Sequence, residues 1–378
     1  MRIDDTYPAF IERNVKAGLQ QLRPRSRIMK FNKRPLVSGL FAVAKDENED
    51  RAIMALCLQN ALMDRKRLWK PRFASMPSLR AVLVHRGQKL RIHKRDGRHF
   101  FHQIRVGKKW CKWLASPPIK MGRRGELFPC HRAVPMGFTA SASWAQLFNE
   151  SMIKRAQLPL DRRLVDGQVP PTSLPCWGSI LDDFWAVEVE DGDPLAVAGQ
   201  WMEEITTQWA KAGIVEHLGK RVQDARRTEV QGAMIDGDEL WCGLSREKRA
   251  RLVEAGLYLL RCSRPQIKPV ARWTGKMSYA QFFRSCTRCT VSELFGWVDA
   301  HRRGQRGRGR WTRGSRREVL ESCLLLPFTQ LDLASPYCTR LESSDASPGG
   351  HGRAYTYVEP SVVAEICQLT AGKGVYQS

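Results

Sequence analysis

The stretch that most constrains this chain is Trp177 to Glu190, WGSILDDFWAVEVE. Asp182 and Asp183 stand between an apolar approach (Ile180, Leu181) and an apolar exit (Phe184, Trp185, Ala186). Aspartate is disfavoured inside strands, whereas aromatic and branched aliphatic side chains favour them. A pair of Asp between two such runs therefore reads as the tip of a tight β-hairpin. Such a tip sets two negative charges a few ångströms apart, which is costly unless a cation sits beside them. The pair is a candidate divalent-metal site. The alternative is a solvated turn, and Asp4-Asp5, a pair without apolar flanks, shows that this chain carries adjacent Asp outside such a context.

The rest of the chain narrows the choice. Its 378 residues are long enough for two or three domains, and 43% apolar content with 12 Trp argues for a folded protein rather than a disordered one. A formal net charge of +24 and a pI near 10.0 point to a polyanionic partner, most often nucleic acid. The 11 Cys are scattered, which suits reduced thiols better than a disulfide framework, and the close pair Cys286–Cys289 lacks the second pair of a zinc finger. No apolar run approaches the length of a membrane span, and MRIDDTYP is not a signal peptide. A soluble nuclear or cytoplasmic protein, with no membrane partner, is expected.

Read in order, residues 1–35 form a basic leader with helical periodicity from Phe10 to Leu22. Residues 36–45 and 52–58 predict a hairpin around the acidic turn DENED, with Lys45 and Arg51 flanking it. AVLVHR (81–86) and FFHQIRV (100–106) read as strands enclosing a polar bend that holds Asp96. FPCHRAVPMGF (128–138) reads as a loop, followed by a helix capped by Thr139 or Ser141. Asp193-Pro194 predicts a helix start and Gly213 its stop; Ser245 predicts the cap of a basic helix through Arg261, and Met277 to Ala300 a further helical region. Residues 301–317 hold eight Arg interleaved with Gly and read as a flexible basic linker suited to phosphate contacts. A polar turn feeding a short strand, with Asp345 at its start, is expected near the C-terminus.

Asp96, Asp182 and Asp183 form one candidate constellation. Phosphoryl transfer assisted by two divalent ions needs such a cluster, and Mg²⁺ (with Mn²⁺ as a substitute) prefers oxygen ligands and keeps waters, so a few carboxylates plus substrate phosphates suffice.

These segments resemble the reverse transcriptases of retrotransposons that join the polymerase to a ribonuclease H. DGRHFFHQIRV (96–106) looks like the first palm motif, AVPMGFTASASWAQ (133–146) like the Pro-x-Gly-Phe segment with its helix, and SILDDF (179–184) like the polymerase hairpin, with Ile180 where an aromatic is usual. GIVEHLGK (213–220) resembles the motif ending in a Lys, and TEVQGAMID (228–236) the Gly-containing turn of the primer grip. The resemblance implies an α+β right-hand polymerase of fingers, palm and thumb, its antiparallel palm sheet covered by helices. Its divisions are fingers and palm at 36–240, a thumb- or connection-like region at 241–300, the linker at 301–317, and a partial ribonuclease H-like segment at 318–378. It implies metal binding by Asp96, Asp182 and Asp183, and proton donation to pyrophosphate by Lys220. Lys45 and Arg51 would hold the incoming triphosphate, and Phe101 would exclude a 2′-hydroxyl. Met136 and Gly137 would face the dNTP, with Gln146 on the template-side helix and Asn60 in the fingers pattern. An RNA or DNA template with its primer, together with dNTPs, are the implied partners.

Two departures matter. In RAIMALCLQN (51–60), Ala55 and Cys57 replace the usual Asp and second Arg of the fingers. SSDASPGGHG (343–352) looks like the opening strand of ribonuclease H, yet no counterparts to the remaining acids follow, so no ribonuclease H activity is expected. Two functions are thus set against each other: an RNA-directed DNA polymerase, and a catalytically decayed retroelement remnant that at most binds nucleic acid.

Overall fold

The structure, a computed structural model, describes residues 6–44, 50–122, 125–166, 168–190, 197–304, 307–347 and 350–369. At its centre lies a four-stranded antiparallel sheet in the spatial order Val222–Ala225, Leu90–Asp96, Asp183–Val189, Cys176–Ile180. Side chains alternate across a strand, so the register assigns the two faces. Lys94 and Asp96 share one face with Asp183 and Trp185; Arg95 and His93 share the other with Phe184 and Ala186. The second face is covered by helices Ser141–Arg155 and Val197–Lys211. Trp201, Ile205 and Trp209 recur at helical spacing and are buried there against Phe184, Ala186 and Phe100. Gly213, at φ +78°, follows that helix as its sequence spacing predicts.

A second sheet runs Arg227–Val230, Ala233–Asp236, Trp241–Gly243, Leu331–Asp332. Its first hairpin turns at Gln231 (φ +51°) and Gly232 (φ +83°). Positive φ at both central residues is what a two-residue hairpin needs to match strand twist. Beyond it, helices Arg246–Arg261, Ile267–Phe282, Ser292–Arg303 and Arg313–Leu325 enclose Leu252, Trp273, Met277, Leu294, Trp297 and Val319. Ser245 caps the first of these, its hydroxyl accepting from the Lys248 N–H at 3.3 Å.

Several expectations need correction. The N-terminal helix is Tyr7–Lys16, ended by Gly18 at φ +70°; Gln20–Pro24 is instead a strand paired with Glu126–His131, and Phe10 and Ile11 are buried, so this segment is integrated rather than a free leader. Part of FPCHRAVPMGF is therefore strand, and the loop begins after His131. Residues 82–86 form no strand, and Phe100–Gln103 is a short helix entered through His99 at φ +50°. Neither Thr139 nor Ser141 caps the next helix; the Ser141 hydroxyl donates to the Pro135 carbonyl. Met277 to Ala300 is two helices with a 3-10 segment, Ser285–Val291, between them. Asp345 lies well inside strand Arg340–Ser347, paired to Gly350–Tyr357, rather than at the start of a short strand.

The basic segment departs most. Trp311 stacks on Trp297 with ring centroids 5.0 Å apart and donates its indole N–H to the Cys262 carbonyl at 2.9 Å. Thr312 and Ser315 close a capping box that starts helix Arg313–Leu325. Composition read residues 301–317 as a linker, but the two Trp and the Thr-x-x-Ser spacing build their described part into the helical group. Lys45, most of the DENED turn and Asp193-Pro194 lie outside the described residues.

Candidate active site

Ile180 pairs with Asp183, so Leu181 and Asp182 form the two-residue tip of the hairpin. Leu181 takes φ +54°, a left-handed conformation that branched residues rarely adopt and that costs on the order of 1 kcal/mol. It is held by Gln146, whose Oε1 accepts the Leu181 N–H at 2.7 Å while its amide donates to Glu150 Oε1 at 2.9 Å and Ser179 Oγ at 3.3 Å. Gln146 is fully buried. The structure thus places it beneath the hairpin rather than on a surface that a template could reach.

On the adjacent strand Asp96 lies directly opposite Asp183. The chain then turns so that the Gly97 N–H donates to the Asp182 carbonyl at 3.0 Å and the His217 N–H to the Asp96 carbonyl at 2.7 Å. Three segments distant in sequence are so tied together at the backbone. Two ammonium groups enter the cluster: Lys220 Nζ donates to Asp96 Oδ2 at 3.0 Å, and Lys94 Nζ lies 3.4 Å from Asp183 Oδ1. Lys220 comes from the 3-10 turn Leu218–Lys220 and is half exposed, whereas Lys94 is largely enclosed.

Burial first, then the neighbouring charge of Asp183, pushes the Asp182 carboxyl up to about 6. Asp183 is likewise raised, chiefly by burial, with Lys94 opposing the rise. A carboxyl whose folded-state pKa lies above its unfolded value of about 3.9 stabilises the fold at acid pH, and that contribution is lost as pH rises through about 6. Metal-free protein is therefore expected to lose about 1–3 kcal/mol between pH 4 and 7.5 from Asp182. Thermal melts in chelator across that range should show the decline, and Asp182→Asn should flatten it. An unchanged slope in the variant would assign the pH dependence elsewhere.

Asp183 Oδ1 is buried and makes no hydrogen bond, its neighbouring cation being Lys94 Nζ at 3.4 Å. With three carboxylates and no softer donor, the set suits a hard divalent ion. The three do not each place an oxygen within 4.8 Å of the others, as a single-ion cage would; among the described residues only His93, Glu188 and Asp224 do. That second group is already satisfied. His93 Nε2 lies 2.9 Å from Glu188 Oε1, the Asp224 N–H meets Nδ1 at 3.4 Å, and Glu188 Oε2 accepts the Ala198 N–H at 2.8 Å. The backbone N–H on Nδ1 places the ring proton on Nε2, the atom a metal would need free.

Of the remaining candidates, Phe101 is half-buried on the short helix after Asp96, beside Phe100. The Arg51 guanidinium contributes, after burial and His99, to lowering the pKa of the adjacent His102. The Met136 carbonyl accepts the Met54 N–H at 3.3 Å, and Gly137 is held by Asn60, whose amide donates to its carbonyl at 2.8 Å and whose Oδ1 accepts the Thr139 N–H at 2.8 Å. Gly137 has φ +100°, and a Cβ there would lie 2.6 Å from the Met54 carbonyl oxygen, so no other residue fits.

Sequence reasoning missed Lys94, although a residue two before Asp96 on a strand must share its face. It also missed Arg95, on the opposite face and fully buried. Arg95 donates to Val222 O (2.9 Å), Lys94 O (3.1 Å), Gln223 Oε1 (2.7 Å) and Glu203 Oε1 (3.1 Å), and its Nε lies 3.4 Å from Glu216 Oε1. Nothing in RIHKRDG marks one Arg for burial.

The sheet, its acidic hairpin and the helices behind it define a reverse-transcriptase-like fold, as comparison with known structures bears out. Three structures of a foamy viral protease–reverse transcriptase superpose on this chain: a dRH form with double-stranded DNA (TM-score 0.58, covering 96% of this chain), one with double-stranded DNA (0.57, 93%) and one with an RNA/DNA hybrid (0.56, 95%). Each is 14% identical, which carries the fold and no more, and the chain spans 58%, 62% and 44% of their respective lengths. No protein-family model matches the chain, and no curated protein matches it in sequence. Among the described residues no helix is long and apolar enough to cross a membrane.

Proposed function

We propose that this chain is a template-directed DNA polymerase of the reverse-transcriptase type, from a retroelement, that extends a primer 3′-hydroxyl with dNTPs on an RNA or DNA template. The observation that carries the proposal is the register that sets Asp96 opposite Asp183, with Asp182 at the hairpin tip. In this reading the hairpin and its sheet are the palm, the Gly39–Ala44 and Asp50–Ala55 hairpin belongs to the fingers, and the helical group after Ser245 is the thumb. Two Mg²⁺ ions held by Asp96, Asp182 and Asp183 would supply an acidified 3′-hydroxyl and charge stabilisation at the transferred phosphorus.

The chain's own residues do the rest. Arg51, with Lys45, binds the triphosphate; Asn60 holds the Met136–Gly137 loop against the nucleotide. Lys220, which donates to Asp96 Oδ2 at 3.0 Å, passes a proton to the departing pyrophosphate in this reading. Gln146 orients the hairpin tip. Phe101 fills the space that a 2′-hydroxyl would need, so Phe101→Ala is expected to raise ribonucleotide use relative to deoxynucleotide by roughly tenfold or more. Single-nucleotide incorporation with each substrate measures this, and an unchanged ratio would remove Phe101 from sugar selection.

Primer extension with Mg²⁺ or Mn²⁺ on RNA and DNA templates tests the proposal. The opposing reading, a nucleic-acid-binding remnant without turnover, rests on Ala55 and Cys57 in the fingers hairpin and the helix after it. Salt-sensitive template binding without any incorporation would favour that reading.

A further inference from the structure

Asp96 and Asp183 face each other across the strands with Asp182 at the hairpin tip, and two neighbouring cations divide them unequally. Lys220 reaches Asp96 from the solvent side, with its side chain 54% exposed. Lys94 reaches Asp183 from within the sheet, on the same face as Asp96, with its side chain 17% exposed. Trp185 and Val222 are its cross-strand neighbours, so its stem is walled on both sides. The oxygen it faces is the same Asp183 Oδ1 that is buried and lacks a hydrogen-bond partner. A largely enclosed ammonium confined beside a buried carboxylate oxygen that makes no hydrogen bond is a placed charge, not a solvated one.

We propose that Lys94 is a built-in counter-cation of the acidic cluster, which holds Asp183 while no metal is bound and weakens the binding of divalent ions there. The inference rests on the two-metal reading of the site. The sign follows from electrostatics. Lys94 neutralises part of the charge that attracts a metal, and a divalent ion that takes Asp183 Oδ1 as a ligand must turn the ammonium away. An opposite charge within ~4–6 Å commonly moves a carboxylate's proton affinity by about 10- to 1,000-fold, and the same field acts on a metal cation. Lys94 thereby keeps the cluster intact when empty and sets the metal concentration at which it loads. It is a positioning residue: it touches a metal-binding carboxylate and no reacting atom.

The test measures Mn²⁺ binding to the full chain by the electron paramagnetic resonance of free Mn²⁺, without nucleotide or template. The component lost in Asp183→Asn isolates this site from any other. Lys94→Met, which keeps the stem and removes the charge, is expected to tighten that component about tenfold or more. It is also expected to lower the melting temperature in chelator at pH 7.5 and regain it with Mn²⁺. Lys94→Arg should behave as the parent, and Lys94→Gln serves if the Met variant does not fold. An affinity in both uncharged variants equal to or weaker than the parent's would overturn the inference and leave the polymerase reading standing. If neither the parent nor an uncharged variant binds Mn²⁺ in an Asp183-dependent way, the metal reading itself falls and this inference with it.

Discussion

Asp182→Asn should reduce primer extension by on the order of 10³-fold, with template binding unchanged. The substitution keeps the side chain's shape and the Gly97–Asp182 backbone hydrogen bond, and removes one charge from the cluster. Stabilisation of a transferring phosphoryl group by metal is worth several kcal/mol, and each 1.36 kcal/mol is about tenfold in rate. Single-turnover extension beside a binding titration separates the two effects. Comparable rates in the variant and the parent would sink the assignment of Asp182 to the reaction.

Arg95→Met should cost about 3 kcal/mol of stability, near the lower end of the ~3–5 kcal/mol typical of breaking a buried ion pair. Two features soften the loss. Glu203 is 65% exposed and can return to water, and Glu216 keeps its two-pronged pair with Arg221. What remains is the loss of donors to the Val222 and Lys94 carbonyls and to Gln223. Because Arg95 sits between Lys94 and Asp96, activity should fall more than stability alone explains. Chemical denaturation and primer extension, run side by side below the transition, check both parts. Stability equal to the parent's would mean that this network contributes nothing net.

The hairpin around Asp182 and Asp183 was legible because its signal is local: Asp resists strand geometry, and its flanks demand it. Gly213, the Ser245 cap and the Gln231-Gly232 turn were legible for the same reason. What the sequence left hidden depends on partners far along the chain. The opposition of Asp96 to Asp183 is a matter of register, and the burial of Gln146 depends on the hairpin it supports. Phe100 to Gln103 has the aromatic content of a strand, yet His99 at φ +50° turns it into a helix beside the Asp96 strand end. Gln20 to Leu22 continued a helical pattern on paper, but strand Glu126–His131 offered an edge and won. Composition misled most at 301–317, where Gly and Arg outnumbered the two side chains that decide the structure, Trp311 and Thr312.

The Trp297–Trp311 stack has a consequence for how this region would meet a polyanion. Arg308, Arg310, Arg313, Arg316 and Arg317 are all exposed, and each is carried on backbone anchored by that stack or by the helix it leads into. A flexible Arg/Gly tail would lose conformational freedom on contact with phosphates, and that loss would subtract from its affinity. Here the backbone entropy is surrendered during folding, so the five Arg project from backbone positions that are set in advance. A basic surface carried on ordered backbone would give up less chain entropy on meeting a polyanion than a loose tail of the same charge.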